Sequence, residues 1–152
     1  DAFNIPLLTL VNVKGYKACK CTERRIAKNA GRLTYAFANA SVPKVTVVVG
    51  EAYGTAYLTM NSKSIGADGV YAWPNATIGM MDASAAAKIM YADENEKAAA
   101  YREMQSSALA AAKRGYVDDI IEACDTRKRV IAAFEMLFTK REDRPDRKHG
   151  TV

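Results

Sequence analysis

Cysteine, histidine and long apolar runs are all scarce in this sequence. Its 152 residues include three cysteines, Cys19, Cys21 and Cys124, and one histidine, His149. An odd cysteine count with one C-x-C pair does not make a disulfide framework, and it leaves too few ligands for a zinc site. We therefore expect reduced thiols and no bound metal. No apolar run approaches the roughly 20 residues that a membrane-spanning helix requires.

The first residues also lack the features of a secretory signal. The segment DAFNIPLLTLVNV has no basic region before its apolar stretch, and it does not start with Met. We expect a cytoplasmic protein whose sequence begins inside a longer polypeptide.

The overall composition is that of one globular domain with a net positive charge. Apolar residues make up 49% and charged residues 26%, and the formal net charge is +5. The basic excess lies between Lys14 and Arg32 and beyond Arg127. It fits a phosphorylated ligand, an acidic partner protein or simply solvated helix faces. Aromatic residues do not alternate with the basic ones, so nucleic acid is not the expected partner.

The first 50 residues predict a strand, a helix and a second strand. Ile5 to Val13 is a nearly continuous apolar run, which is typical of a buried strand in a parallel sheet. Thr22 to Ala40 has helical periodicity, with Thr22 as the expected N-cap. After Val42 and Pro43, the run from Lys44 to Val49 predicts the next strand, and the two strands would join by a right-handed crossover.

The stretch from Lys44 to Met60, KVTVVVGEAYGTAYLTM, is the most informative part of the chain. Its strand is followed by a predicted turn, Gly50 to Gly54, and then by a short helix, Thr55 to Met60. Backbone N–H groups at such a helix start lack intrahelical acceptors and can bind an anion or a developing oxyanion.

The remaining residues predict further strands and helices. They are strands Val70–Trp73 and Thr77–Met81, a helix Ala83–Tyr91 capped by Asp82, a long helix Glu96–Arg114 ended by Gly115, an extended segment Tyr116–Ile121, and a last helix from Asp125 to Lys140. From Arg141 onward we expect an exposed, charged tail.

Several segments together resemble one protein family. They are NIPLLTLVNVKGY, LTYAFANASVPKVTVVVGEAYGTAYLTMNSKSIGAD, VYAWPNATIGMM and RGYVDDIIEACDTRKRVIAAFEMLFTKREDRPDRKHG. In this order they resemble the carboxyltransferase subunit of biotin-dependent enzymes that act on acyl-CoA, such as propionyl-CoA carboxylase and methylmalonyl-CoA decarboxylase. The segments CTERRIAK and EAYGTAYL look most similar to the decarboxylase branch.

The resemblance implies a fold and separate roles for the two halves of the subunit. It implies an α/β, crotonase-like fold with repeated ββα units, in which residues 1–140 form the C-terminal crotonase-like subdomain and residues 141–152 the tail. In the family the N-terminal half mainly holds acyl-CoA, and the C-terminal half receives biotin from a biotin carboxyl carrier protein. The active site lies between the N-terminal half of one subunit and the C-terminal half of another. The implied partners are therefore acyl-CoA, the carrier, the N-terminal half and further copies of the chain.

The resemblance also implies site residues. Carboxyl transfer builds negative charge on an enolate oxygen and on the ureido oxygen of biotin, and fixed backbone N–H donors suit both. The matching catalytic positions are Gly54, Thr55 and Ala56, with Thr55 and Ala56 as N–H donors. Many members have Gly at the position of Thr55, so its Cβ adds bulk near biotin.

The other implied residues would bind biotin or substrate. Gly15 and Tyr16 match a loop near biotin in which Lys14 replaces the usual Pro. Tyr53 and Tyr57 lie in the segment that matches the oxyanion hole for biotin, and Leu58 matches a position near the acyl pocket. Several of these residues have an alternative structural role. Gly54 could serve tight packing, Tyr53 and Tyr57 could belong to the core, and Gly15 and Tyr16 could form a plain turn.

Two other functions remain open at this stage. A hydrolase could use Thr55 as its nucleophile, but it would need a nearby base, and His149 lies far along the chain. The chain could also be an assembly module of the same complex that is inactive alone and exposes apolar surface.

Overall fold

The computed structural model describes residues 1–91 and 95–142. The predicted tail beyond Glu142, with His149, lies outside these residues, so the domain boundary at residue 140 stays a prediction.

Five strands form one sheet in which every strand pairing is parallel. The order is β1-β2-β3-β5, and β4 pairs with β2 beyond the end of β3. The strands are β1 Leu7–Val13, β2 Lys44–Tyr53, β3 Gly69–Ala72, β4 Thr77–Gly79 and β5 Asp119–Ile120. Strand β2 therefore has β1 along one edge and two successive strands, β3 and β4, along the other.

Seven α-helices cover the sheet within the described residues. They are α1 Lys20–Glu23, α2 Ile26–Asn39, α3 Gly54–Leu58, α4 Ala83–Tyr91, α5 Asn95–Tyr101, α6 Ala108–Lys113 and α7 Thr126–Met136. A π-helical turn, Arg102–Ser106, links α5 to α6. Measured over the same residues, no helix is both long enough and apolar enough to span a membrane.

Several local predictions are confirmed. Strands β1 and β2 are parallel and connected through α2, as the crossover requires. The Asp82 carboxylate accepts a hydrogen bond from the Ser84 N–H at 3.1 Å, at the start of α4. Gly115 has φ +80°, and its N–H bonds the Ala112 carbonyl after α6, as expected for a glycine that ends a helix.

The prediction that the first strand is buried is wrong. Strand β1 lies at the edge of the sheet, and only alternate residues, Thr9 and Val11, are buried. Leu8 and Leu10 are 47% and 57% exposed. Their apolar character reflects an outer face that no described element covers.

The predicted helix Thr22–Ala40 is interrupted near its start. A first turn, α1, begins after Cys19 and ends at Glu23, and α2 begins at Ile26. Thr22 therefore lies inside α1, and Cys19 occupies the N-cap position. The Cys19 thiol and the Thr22 hydroxyl are 2.8 Å apart, so the threonine bonds a side chain rather than capping the helix.

The predicted long helix Glu96–Arg114 is also broken, and the last helix ends at Met136 rather than Lys140. Ser107 has an extended backbone, φ −68° and ψ 153°, and forms an isolated bridge with Thr77. Its hydroxyl accepts a hydrogen bond from the Ala110 N–H and so caps a new helix, α6. A tertiary contact with the sheet thus overrides the local helical preference.

Two apolar clusters lie on the sheet's opposite faces. One contains Val11, Val48 and Val70 and packs against α6. The other contains Val45 and Val47 and packs against Val130 and Ala133 of α7. Alternate residues of β2 therefore face the two clusters, which makes β2 the central element of the fold.

Candidate functional site

The second half of β2 leads directly into the candidate site. The predicted turn from Gly50 to Gly54 is wrong, because β2 continues through Gly50 to Tyr53 and pairs with β4. Its register with β1 shifts between Val11 and Val13. At this irregularity the Asn12 side-chain oxygen accepts a hydrogen bond from the Glu51 N–H at 3.0 Å. A Cβ at Gly50 would lie 2.6 Å from that oxygen, so glycine makes room for the bond.

The change from strand to helix takes place at Gly54. Tyr53 is extended, whereas Gly54 has φ +60°, a left-handed conformation that glycine adopts without strain. A Cβ on Gly54 would also lie 3.1 Å from the Met80 carbonyl oxygen. Helix α3 starts here, and the N–H groups of its first turn have no intrahelical acceptors. The predicted helix start is therefore present, although a strand rather than a turn leads into it.

Thr55 and Ala56 face different surroundings. Thr55 is exposed, and Ala56 is buried with 4% of its surface accessible. The Cβ that distinguishes Thr55 from glycine therefore lies at the protein surface and is not forced into the core. Ala56 fixes the first turn of α3 against the sheet.

The loop after β1 lies against α3. The Tyr16 hydroxyl is 3.1 Å from the Thr59 hydroxyl and donates to the Thr55 carbonyl at 3.4 Å. Gly15, with φ +152°, precedes it. The structure therefore brings Tyr16 to the helix that contains Thr55, and a role of Gly15 and Tyr16 in binding biotin stays a prediction.

Tyr53 is placed differently from the other predicted site residues. It is buried, and its hydroxyl bonds the Thr77 hydroxyl at 2.9 Å. Its polar group is therefore already used between β2 and β4.

A cavity of about 520 Å³ lies beside α3, and we refer to it as the α3 cavity. Three predicted residues line it: Gly54, Tyr57 and Leu58. Leu58 is 38% exposed at its rim. The sequence reasoning missed the remaining wall, which includes Gly79, Met80, Tyr101, Gln105, Ser106, Arg114 and Tyr116.

Tyr57 is the most enclosed aromatic residue of the α3 cavity. It is 6% exposed, and burial, together with the nearby Tyr116, raises the pKa of Tyr57 to about 12. The phenol therefore stays protonated at neutral pH and can donate a hydrogen bond. An inward-facing phenol beside a helix start suits recognition of an oxygen-bearing ligand.

The missed residues come from segments far from α3 in sequence. Arg114 and Tyr116 flank Gly115, and Ser106 precedes the break in the predicted long helix. The turn at Gly115 was a readable signal for the end of a helix. No pattern in the sequence shows that this helix end faces α3.

Comparison with known proteins assigns the chain to one protein family. A family described as "Carboxyl transferase domain" matches residues 1–152. The chain is 44% identical to a putative propionyl-CoA carboxylase beta chain of Bacillus subtilis, over 100% of this chain and 32% of that protein. It is 41% identical to the methylmalonyl-CoA carboxyltransferase 12S subunit of Propionibacterium freudenreichii, over 99% and 31%.

Solved structures agree with these sequence relatives. A transcarboxylase 12S structure, described as a hexamer with methylmalonyl-coenzyme A and methylmalonic acid bound, has a TM-score of 0.90 and 42% identity. It covers 97% of this chain and 30% of that one. The beta subunit of Pseudomonas aeruginosa geranyl-CoA carboxylase gives a TM-score of 0.77 at 27% identity, over 92% and 30%.

These relatives have the crotonase-like fold, so the predicted α/β crotonase-like class is confirmed. Strands β3 and β4 followed by α4 form one ββα unit. The chain spans about a third of the length of the relatives it matches. The expectation that this third is the C-terminal part stays a prediction.

Proposed function

Because this chain belongs to the carboxyl transferase domain family, we propose that it is the C-terminal, biotin-facing part of a biotin-dependent acyl-CoA carboxyltransferase. The substrate would be a short acyl-CoA of the propionyl-CoA or methylmalonyl-CoA type. One observation carries the proposal: Gly54, the first residue of α3, lines a cavity, and the Tyr16 hydroxyl contacts the same helix.

The proposed role of the α3 start is to stabilise negative charge. The backbone N–H groups of Thr55 and Ala56 belong to the helix's first turn, and the Ala56 side chain is buried. Such preorganised donors stabilise an oxygen that gains charge without needing a proton transfer. Gly54 permits the sharp entry into the helix, and an exposed Thr55 leaves both donors in place.

The residues around α3 fit a bound biotin group. Leu58 and Tyr57 offer apolar and aromatic surface in the α3 cavity, and Gly15 and Tyr16 would lie along the other side of the helix. When bound, biotin supplies the ureido nitrogen that carries the carboxyl group. Tyr53 would act indirectly, since its bond with Thr77 holds the end of β2 in place.

The proposed partners follow from the length and assembly of the relatives. They are acyl-CoA, a biotin carboxyl carrier protein, the N-terminal part of the carboxyltransferase and other copies of the same chain. A related 12S subunit is described as a hexamer within a multienzyme core. The exposed Leu8 and Leu10 on edge strand β1 leave apolar surface for such contacts.

A complementation assay tests this function. The chain is mixed with the purified N-terminal part of a related carboxyltransferase, an acyl-CoA and biotinylated carrier protein, and carboxyl transfer is measured. We expect transfer only in the complete mixture. A chain that binds the N-terminal part but never restores transfer would instead be an assembly module, the alternative favoured by the exposed β1 surface.

A substitution at Thr55 separates this function from hydrolysis. Thr55→Val removes the hydroxyl but keeps the backbone N–H, so a hydrolase would lose activity and the proposed carboxyltransferase would keep it. No histidine occurs within the described residues, which gives a Thr55 nucleophile no imidazole base there. Thr55→Ser, which keeps the hydroxyl, is the matched control.

A further inference from the structure

The α3 cavity contains hydroxyl groups that the protein itself does not use. Tyr57 is 94% buried and Ser106 is 99% buried, and both line the cavity. Among the described residues neither hydroxyl has a hydrogen-bond partner, whereas the equally buried Tyr53 hydroxyl bonds Thr77. Hydroxyls that no protein group uses can bond a ligand that enters the cavity.

Both hydroxyls reach the open space of the cavity. Asn61 Oδ1 is a polar atom that is fully enclosed and without a partner, and neither hydroxyl falls into that class. The Tyr57 and Ser106 oxygens therefore remain accessible from the cavity despite the burial of their residues. A ligand that enters can bond them directly.

Arg114 gives the same cavity a positive charge. Its Nη1 donates to the Gln105 carbonyl at 3.0 Å, and its Nη2 donates to the Gln105 side-chain oxygen. These two bonds hold the guanidinium at the wall and leave its other N–H groups available. No carboxylate lines the cavity or pairs with Arg114 within the described part of the chain.

A fixed guanidinium beside neutral hydroxyl donors is selective for an anion with more than one acceptor oxygen. A carboxylate meets this requirement, because it accepts from arginine through one oxygen or both and still bonds a hydroxyl. A cation would meet Arg114 with no compensating acidic group. A volume of about 520 Å³ also holds more than the carboxylate itself.

We propose that the α3 cavity is a subsite for a carboxylate-bearing ligand, held by the Arg114 guanidinium and by the Tyr57 and Ser106 hydroxyls. The identity of its biological ligand rests on the proposed function, in which either a ureido nitrogen or an acyl carbon carries the carboxyl group. The subsite binds and orients that carboxylate and moves no proton.

An NMR titration of the 152-residue chain tests the subsite with two simple probes. Malonate has a carboxylate next to an acyl carbon, and hydantoate has one next to a ureido group. We expect saturable shifts at Gly54 and Gly115 with at least one probe, and the tighter probe identifies the source of the carboxylate. Dimethyl malonate, which has no charge, should bind at least about tenfold more weakly than malonate.

Two pairs of variants localise the binding. Arg114→Gln and Tyr57→Phe should each raise the dissociation constant about tenfold, the loss expected for one hydrogen bond to a charged group. Arg127→Gln on α7 and Tyr71→Phe in the opposite apolar cluster remove the same groups elsewhere and should change nothing. Ser106→Ala, which removes the other proposed hydroxyl, replaces Tyr57→Phe if the latter does not fold.

The possible results separate the subsite from the proposed function. Equal binding of dimethyl malonate and malonate, or equal affinities of Arg114→Gln and Arg127→Gln, would overturn the subsite. The titration needs neither carrier protein nor turnover. Carboxylate binding without transfer in the complete mixture counts against the proposed function alone, and transfer without carboxylate binding counts against the subsite alone.

Discussion

The buried polar groups near the two ends of strand β2 differ in their hydrogen bonding. Those at the amino end bond other protein groups, whereas two hydroxyls beyond the carboxyl end do not. At its amino end, Lys44 is 1% exposed, and its ammonium donates to the Phe37 carbonyl at 2.8 Å. Its backbone N–H donates to the Asp68 carboxylate at 2.7 Å, and Asp68 pairs with Lys140 at 2.8 Å. At the carboxyl end, the Tyr57 and Ser106 hydroxyls have no partner among the described residues.

We infer from this difference that the amino end of β2 contributes to stability and that the region at its carboxyl end can bind a ligand. Buried charges that are paired and hydrogen-bonded hold the polypeptide together, and removing one partner leaves the other uncompensated. Burial lowers the pKa of Lys140, but its hydrogen bonds to Asp68 and Glu142 outweigh that effect and raise the pKa overall. The ammonium is thus charged at neutral pH and ties the segment after α7 to the start of β2. At the carboxyl end Tyr53 is paired with Thr77, whereas the Tyr57 and Ser106 hydroxyls have no partner among the described residues and are available to a ligand.

The largest predicted effect follows from removing the Asp68 carboxylate, which bonds two groups near the amino end of β2. Asp68→Ala deletes the acceptor of both the Lys44 N–H and the Lys140 ammonium, so we expect a loss of about 2–4 kcal/mol in the free energy of unfolding. Urea denaturation measures it. The control is Lys14→Ala, which removes an ion pair to Glu51 that is exposed and is expected to cost under about 1 kcal/mol. Equal losses in the two variants would show that the buried network is not structural.

The next largest effect on stability is expected from a substitution at Gly54, where β2 leads into α3. Gly54→Ala places a Cβ in a left-handed conformation and 3.1 Å from the Met80 carbonyl, which should cost about 1–2 kcal/mol. Gly31→Ala is the matched change inside α2, where a Cβ meets nothing within 4 Å. It should stabilise the chain by about 0.5–1 kcal/mol. Thermal unfolding measures both changes in stability. A Gly54→Ala variant as stable as the parent chain would contradict the left-handed conformation of Gly54.

A smaller effect concerns the pH dependence of stability. The folded pKa of Tyr57 is raised to about 12, whereas an unfolded tyrosine titrates near 10. Below pH 10 the ionisation of Tyr57 therefore does not reduce the free energy of unfolding. As pH rises from 10 toward 12, that free energy falls by up to about 1.4 kcal/mol per pH unit. The stability of Tyr57→Phe should depend less on pH between about 10 and 12. Identical slopes for the variant and the parent chain would place the phenol in solvent.

The smallest effect lies outside both ends of β2. Hydrogen bonds with Thr22 lower the pKa of the Cys19 thiol, which raises its thiolate fraction at neutral pH. Thr22→Val should therefore slow alkylation of Cys19 by iodoacetamide at pH 7 and leave Cys21 unaffected. Peptide mass spectrometry distinguishes the two cysteines. An unchanged Cys19 rate would mean that Thr22 does not activate the thiol.

Local patterns in the sequence predicted much of the fold. The crossover from β1 to β2, the cap at Asp82 and the glycine after α6 each depend on residues that are neighbours in sequence. The bend at Gly54 is likewise local, because a single left-handed residue separates β2 from α3. The sequence reasoning therefore located the helix start of the candidate site.

The features that were missed depend on contacts between distant segments. Strand β2 continues past Gly50 because Asn12 and β4 pair with it there, and neither partner is visible in the stretch itself. The helix before α6 breaks because Ser107 bridges to Thr77. Ser106 and Arg114 lie on either side of this break and both line the α3 cavity, so the cavity's polar wall depends on a long-range contact that local patterns do not show.

The most direct test of the central claim removes one backbone N–H from the start of α3. Thr55→Pro deletes the N–H at a first-turn position, where helices tolerate proline, and Thr55→Gly keeps it and removes the side chain instead. Both variants enter the complementation assay with the N-terminal part, acyl-CoA and carrier. We predict that Thr55→Gly transfers carboxyl groups as well as the parent chain, whereas Thr55→Pro, with its folding confirmed by circular dichroism, loses transfer by about a hundredfold or more. Equal transfer by the two variants would contradict the assignment of the α3 backbone as the site of charge stabilisation.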